Sequence, residues 1–191
     1  NKQNTITFSG IYDWEIHVDT AQVPYIDLDT WQRYRIWHWN EEEMTGYMNY
    51  SMNYNHQFVE PGHKIDIRAQ YTKGWEDESY FLNDSSEYRV GKDATHILAT
   101  EHTTNITADY VKPLRSGRLE AGMKFQWRRL PVEYTVTPGE KSIIYPEMGD
   151  WSDWGEDIYA GYINYVYEKP KIDIEGGLRT EQTSVFYTID P

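Results

Sequence analysis

The chain has 191 residues, 31 acidic and 18 basic, for a formal net charge of −13. That field repels phosphate backbones and excludes nucleic acid as a partner. The lack of cysteine excludes a disulfide scaffold and thiolate-bound metal, and a mean hydropathy of −0.80 excludes spanning helices, which need ~20 apolar residues in succession.

Seventeen tyrosines and eight tryptophans speak for an ordered chain. It starts at Asn1 without a basic and apolar leader, and stops in a strand-like run, so it reads as a piece of a longer polypeptide. The first 40 residues read as an upper strand end, a loop and the next strand, with Trp37 and Trp39 as an interfacial pair. Met48, Tyr50, Met52 and Tyr54 then share one face, opposite Tyr47, Asn49, Ser51 and Asn53. After a tight Pro-Gly turn at 59–63, Ile65, Ile67, Ala69 and Tyr71 alternate with Lys64, Asp66, Arg68 and Gln70. A polar stretch at 74–93 reads as a long loop, and Ile106, Ala108 and Tyr110 mark the next strand.

A second tight turn at 113–117 leads into the clearest alternation. There Leu119, Ala121, Met123, Phe125 and Trp127 are interleaved with Glu120, Gly122, Lys124, Gln126 and Arg128. Residues 130–157 read as another long loop, and 157–169 as a strand with tyrosine on both faces, so that its inner side stays undecided. A third tight turn at 168–171 precedes Ile172, Ile174, Gly176 and Leu178, set against Asp173, Glu175, Arg179 and Glu181. No segment has a helical period. The pattern predicts an all-β, antiparallel up-and-down meander of about seven or eight long strands in one segment over 1–191, with short turns at one end and long loops at the other.

The apolar faces could meet a protein core or lipid. The stripe from Leu119 to Trp127 spans roughly 27 Å, or roughly 20 Å along a membrane normal when tilted by about 40°, close to the ~25 Å apolar band of outer-membrane barrels. Strands well past ten residues favour a transmembrane barrel over soluble sheets, whose strands average ~5–6 residues. The alternative is a secreted β-sandwich binding carbohydrate through loop tryptophans.

Three stretches carry a family resemblance: "LEAGMKFQWRR" (119–129), "DIYAGYINYVYEKPKIDIEGGLRTEQT" (157–183) and "MNYNHQFVEPGHKIDIRAQYTKG" (52–74). Their succession resembles the outer-membrane β-barrel family that includes the carboxy-terminal barrels of TonB-dependent receptor-like proteins of Gram-negative bacteria. The resemblance implies an outer-membrane protein that takes up or binds a nutrient or metal complex. It also implies a plug domain and an energy-coupling protein as partners of the full-length parent. Its neighbours would be outer-membrane lipid, and a lone segment would pair its open edges with another copy or curl into a small sheet.

Trp151 and Trp154 in "DWSDWGED" could stack on a flat ligand or pack on neighbouring loops. Arg68, Lys124, Arg128, Arg179 and Glu181 could contact a substrate or plug, or pair with one another along a wet wall. The six histidines lack metal-ligand spacing, and the acidic loop lacks a calcium pattern, so no metal or cofactor is expected. No hydrolase, metalloprotease or nucleotide motif occurs, and the chain reads as a non-enzyme.

Overall fold

A computed structural model of the chain describes residues 3–86, 90–142, 147 and 149–190. The alternating segments form β1 (Asn4–Ile26), β2 (Arg33–Gln57), β3 (Lys64–Ser86), β4 (Val90–Leu114), β5 (Gly117–Pro138), β6 (Asp150–Lys169) and β7 (Ile172–Asp190). All seven make a single antiparallel sheet in the order β1-β2-β3-β4-β5-β6-β7. Each strand therefore pairs with its sequence neighbour, as the meander requires. The three tight turns lie at one end, where Gly62 and Gly117 take positive φ of 81° and 140°.

Between neighbouring strands the ladders run without a slip, except at the Tyr25/Ile26 irregularity near the tip of β1. Because side chains alternate, one unbroken register fixes the face of every residue. One face carries Phe8, Met52, Ala69, Ile106, Phe125 and Tyr159, which are paired in a single row from β1 to β6. The next row on the opposite face runs Thr7, Asn53, Arg68, Thr107, Lys124, Ala160 and Glu181. The undecided tyrosines also sort: Tyr159, Tyr165 and Tyr167 lie on the apolar face, and Tyr162 on the polar one.

The sheet is a single layer, which overturns the sandwich alternative. Its accessible surface is 13284 Å², against roughly 9,500 Å² for a compact monomer of this mass. Among the described residues the buried hydrophobic side chains are Ala160 and Val166 alone. Leu178 is 79% exposed, Phe8 72% and Met123 51%. Among the described residues no second sheet covers them, so their apolar face is finished by something outside this sheet.

The upper limit of the apolar stripe is higher at β1 than at β7: it is Leu178 on β7, Trp127 on β5, Tyr71 on β3 and Val18 on β1. In the ladder, Leu178 lies in the row of Ala121, below the shared row of Trp127 and Tyr71, while Val18 lies above it in the row of Glu42 and Ser79. Strands tilted through a flat layer of lipid need this climb, because a hydrogen-bonded row is then oblique to the membrane plane. At its upper edge Phe125, Trp127 and Tyr159 form a ring cluster, and the indole N–H of Trp127 donates to the Tyr159 hydroxyl at 3.2 Å.

Three expectations are corrected. The stretches at 74–93 and 130–157 are mostly strand, since β3 runs to Ser86, β4 starts at Val90, β5 runs to Pro138 and β6 starts at Asp150; residues 87–89, 143–146 and 148 lie outside the described residues. The first 40 residues hold the whole of β1, a full strand and not an upper end, then a six-residue connection at 27–32 and the beginning of β2. Trp37 and Trp39 are no lipid-interface pair, since their odd numbers place them with Glu41 and Tyr47 on the polar face, above the apolar stripe. The ladder itself explains the extra strand length. Polar side chains are compatible with strand where every backbone group has a partner and cross-strand contacts hold the register. One such contact is the two-pronged ion pair of Arg35 with Asp84, at 2.7 and 2.8 Å.

The connection between β1 and β2 is closed by two backbone hydrogen bonds, Asp27 N–H to Gln32 and Trp31 N–H to Asp27, and by one side chain. The Asp27 carboxylate accepts from the backbone N–H groups of Thr30 and Asp29 and from the Thr30 hydroxyl, at 2.8, 3.0 and 2.9 Å. The Thr30 backbone N–H, then its hydroxyl, then Asp29 hold this carboxyl below its usual range. The stabilisation is present above the ordinary carboxylate value and is lost as pH falls through the lowered one. Asp27→Ala is expected to raise amide exchange at Thr30 and Trp31 while leaving the β2–β3 ladder protected, as hydrogen-exchange NMR would show.

Candidate functional site on the inner wall

The polar face is built by the same alternation that exposes the apolar one. Arg68, Lys124, Arg128, Arg179 and Glu181 all fall on it, as the sequence predicts. Arg68, Lys124 and Glu181 share one row, with Lys124 two strands from each of the others, or roughly 10 Å away at the usual strand spacing.

Most of these charges have partners. Arg128 grips Glu101 through two nitrogens at 2.7 and 3.1 Å, Arg179 reaches Glu181 at 2.6 Å, and Arg68 donates to Asn53 at 2.8 Å. Nearby, Tyr162 donates to Asp109 at 2.7 Å, Lys64 pairs with Asp66 at 2.9 Å, and Arg118 bridges Glu120 and Glu168. The wall is thus a largely self-paired polar network. Lys124 differs, since among the described residues its ammonium has neither a carboxylate within 4.0 Å nor an amide partner such as Asn53 gives Arg68.

The two loop tryptophans do not form one clamp. Trp154 lies on the inner face, with the Arg128 guanidinium 5.2 Å from its ring centre, whereas Trp151 pairs with Glu133 on the outer face. An odd separation of three residues on a continuous strand puts them on opposite sides.

A second cluster sits on the inner face just above the apolar stripe, and sequence reasoning missed it. Pairing brings "EEE" at 41–43 beside "EDE" at 76–78. Glu41, Glu43 and Glu78 then bring carboxylate oxygens within 4.8 Å of one another, the oxygen donor type that hard divalent cations take. The Tyr80 hydroxyl bonds to Glu78 at 2.8 Å and lies 3.1 Å from Glu41. Glu78 is 9% exposed. Both acidic runs are visible in the sequence, but only the register shows that they meet.

At the rim of the cluster, Glu76 shares a hydrogen bond with Glu78. That bond, then burial, then repulsion from Glu78, Glu43 and Glu41 push its carboxyl from 4.5 up to about 7. Since the folded value is raised, the folded wall keeps a proton that the unfolded chain releases. The upper sheet therefore loses stability as pH rises from 4.5 through about 7. A carbon-13 NMR titration of the Glu76 carboxyl is expected to give a midpoint near 7, returning toward 4.5 in Glu78→Gln.

One sheet, apolar outside over a lipid-length band and charged inside, defines the wall of a transmembrane β-barrel. The model of the outer membrane protein beta-barrel family matches residues 56–189, and the chain belongs to that family. Membership implies an outer-membrane location and accounts for a sheet with no dry core. No curated protein matches the chain.

Proposed function

We propose that the chain is a section of barrel wall in an outer-membrane receptor or transporter that takes up or binds a nutrient or metal complex. The observation that carries this reading is Lys124, a cation without a partner among the described residues, in the middle of an inner wall whose other charges are mostly paired. It sits two residues above Gly122, over which Tyr162 and Asp109 pack, and in the same row as Arg68. Such a cation suits an anionic ligand or a carboxylate of a plug domain. In this reading the unpaired edges of β1 and β7 are met by further strands or a second copy, since open edges are not tolerated in lipid. A plug and an energy-coupling protein complete the machine.

The test is growth of the native bacterium on single limiting nutrients or chelated metals, comparing the wild-type gene, a deletion and Lys124→Glu. The deletion and the charge reversal are expected to fail on the same nutrient, with the variant still present in outer membranes at normal levels. A deletion strain growing normally on every nutrient and chelate tested would contradict an uptake role.

A further inference from the structure

Just below the upper edge of the apolar stripe, the outer face is hollowed. Gly10 on β1 and Ala69 on β3 leave a depression of about 550 Å³, bounded by Phe8, Tyr50, Tyr71 and Ile106. The small side chains account for it, because each is paired in its row with a larger one, Gly10 with Tyr50 and Ala69 with Met52 and Ile106.

The next outer-face row above holds three basic residues on adjacent strands. Lys73 on β3 pairs with His102 on β4, which pairs with Arg129 on β5. They span roughly 10 Å across the sheet and stand roughly 7 Å above the row of Tyr71 and Thr104. Tyr71 fixes the His102 ring by a 2.8 Å hydrogen bond to Nδ1, which leaves Nε2 directed elsewhere. Arg129 donates one nitrogen to Asp157 at 2.7 Å and packs over the Phe186 ring. The Lys73 ammonium has a 5.8 Å contact with the Trp75 ring and, among the described residues, no carboxylate partner. Asp77, the acid nearest along β3 on that face, is bound to His96 at 2.7 Å. A cationic row directly over an apolar hollow is the shape of an amphiphile with an anionic head.

We propose that this face is a specific site for an outer-leaflet lipid with a phosphate-bearing head group. The phosphate oxygens meet Lys73, His102 and Arg129, and one acyl chain lies over Ala69 and Gly10. The tight turns at the opposite end of the strands put this row on the outer-leaflet side, since outer-membrane barrels keep short turns in the periplasm. Charge complementarity and the continuity of the hollow with the lipid-facing band favour lipid over a protein partner.

The intact barrel that carries this chain, purified in detergent, is titrated with diphosphoryl lipid A and followed by native mass spectrometry. A one-to-one complex is expected, and the fully dephosphorylated lipid should bind about tenfold more weakly or worse. Lys73→Gln combined with Arg129→Gln should lose the difference between the two lipids. Ala69→Phe should weaken both lipids equally by filling the hollow. Lys112→Gln, at the opposite end of the same face, should change nothing. Heat-shifted gel migration confirms that each variant is folded; Lys73→Gln alone, at a half-buried charge, provides a readout if Ala69→Phe does not fold. Equal affinity for the phosphorylated and dephosphorylated lipids, or an unchanged preference after the Lys73 and Arg129 substitutions, would overturn the proposal.

Discussion

Met123→Arg is expected to destabilise the folded chain in bilayers by roughly 2–4 kcal/mol, the usual cost of a basic side chain near the middle of a barrel's lipid face. Met123 sits at the centre of the β5 stripe, is 51% exposed, and pairs with Ala108 and Gly161, neither of which could shield a guanidinium. The same substitution to arginine at Lys124, one residue along, faces the wet wall and should cost close to nothing. Urea titration of liposome-folded protein, followed by tryptophan fluorescence, measures both. A soluble β-sheet protein would give a different result, because a solvated guanidinium in place of the Met123 side chain would be harmless there. The contrast between neighbouring residues therefore separates lipid from water on this face.

Gly117→Ala is expected to have the second large effect, acting on the backbone. Gly117 opens β5 at φ 140°, and an added Cβ would lie 1.8 Å from the Val166 carbonyl oxygen on β6. A side chain at this φ is strained by about 1–3 kcal/mol, and the clash with main chain can be relieved only by moving the β5–β6 ladder. The folded fraction recovered from urea, read by heat-shifted gel migration, should fall sharply, and amide protection should drop first at Val166 and Tyr167. Gly176→Ala is the matching control. Nothing lies within 4 Å of its added Cβ, so it should fold normally.

The physical basis of these results also explains how far the sequence could be read. Period-two alternation is a local property, so Leu119 to Trp127 and Ile65 to Tyr71 declare their faces from the residues alone. The turns at 59–63, 113–117 and 168–171 are legible for the same reason, because Pro and Gly act within a few residues. Above the stripe both faces become polar, and alternation no longer distinguishes a strand from a loop. That is why 74–93 and 130–157 read as loops although most of their described residues lie in strands. Trp37, Trp39, Trp151 and Trp154 suffer likewise, since a tryptophan's face follows from the register and not from its neighbours.

The inner wall shows the same division. The five charges from Arg68 to Glu181 could be assigned to one face from alternation. Their partners could not, because Glu101, which neutralises Arg128, lies 27 positions away in the chain. The carboxylates of Glu41, Glu43 and Glu78 meet only because Glu43 is directly opposite Glu78. Lys124 looked no different from its neighbours in the sequence. It stands out once the others are seen to be paired.

Accessibility of a nitroxide placed in turn at each position from 119 to 128 offers the most direct test, and the chain's lack of cysteine makes every single-cysteine variant clean. In liposomes, labels at 119, 121, 123, 125 and 127 should collide with dissolved oxygen and be shielded from a water-soluble nickel chelate. Labels at 120, 122, 124, 126 and 128 should do the reverse. A chelate-accessible label at 123, or the loss of two-residue alternation between the collision partners, would contradict a wall with acyl chains on one side and water on the other.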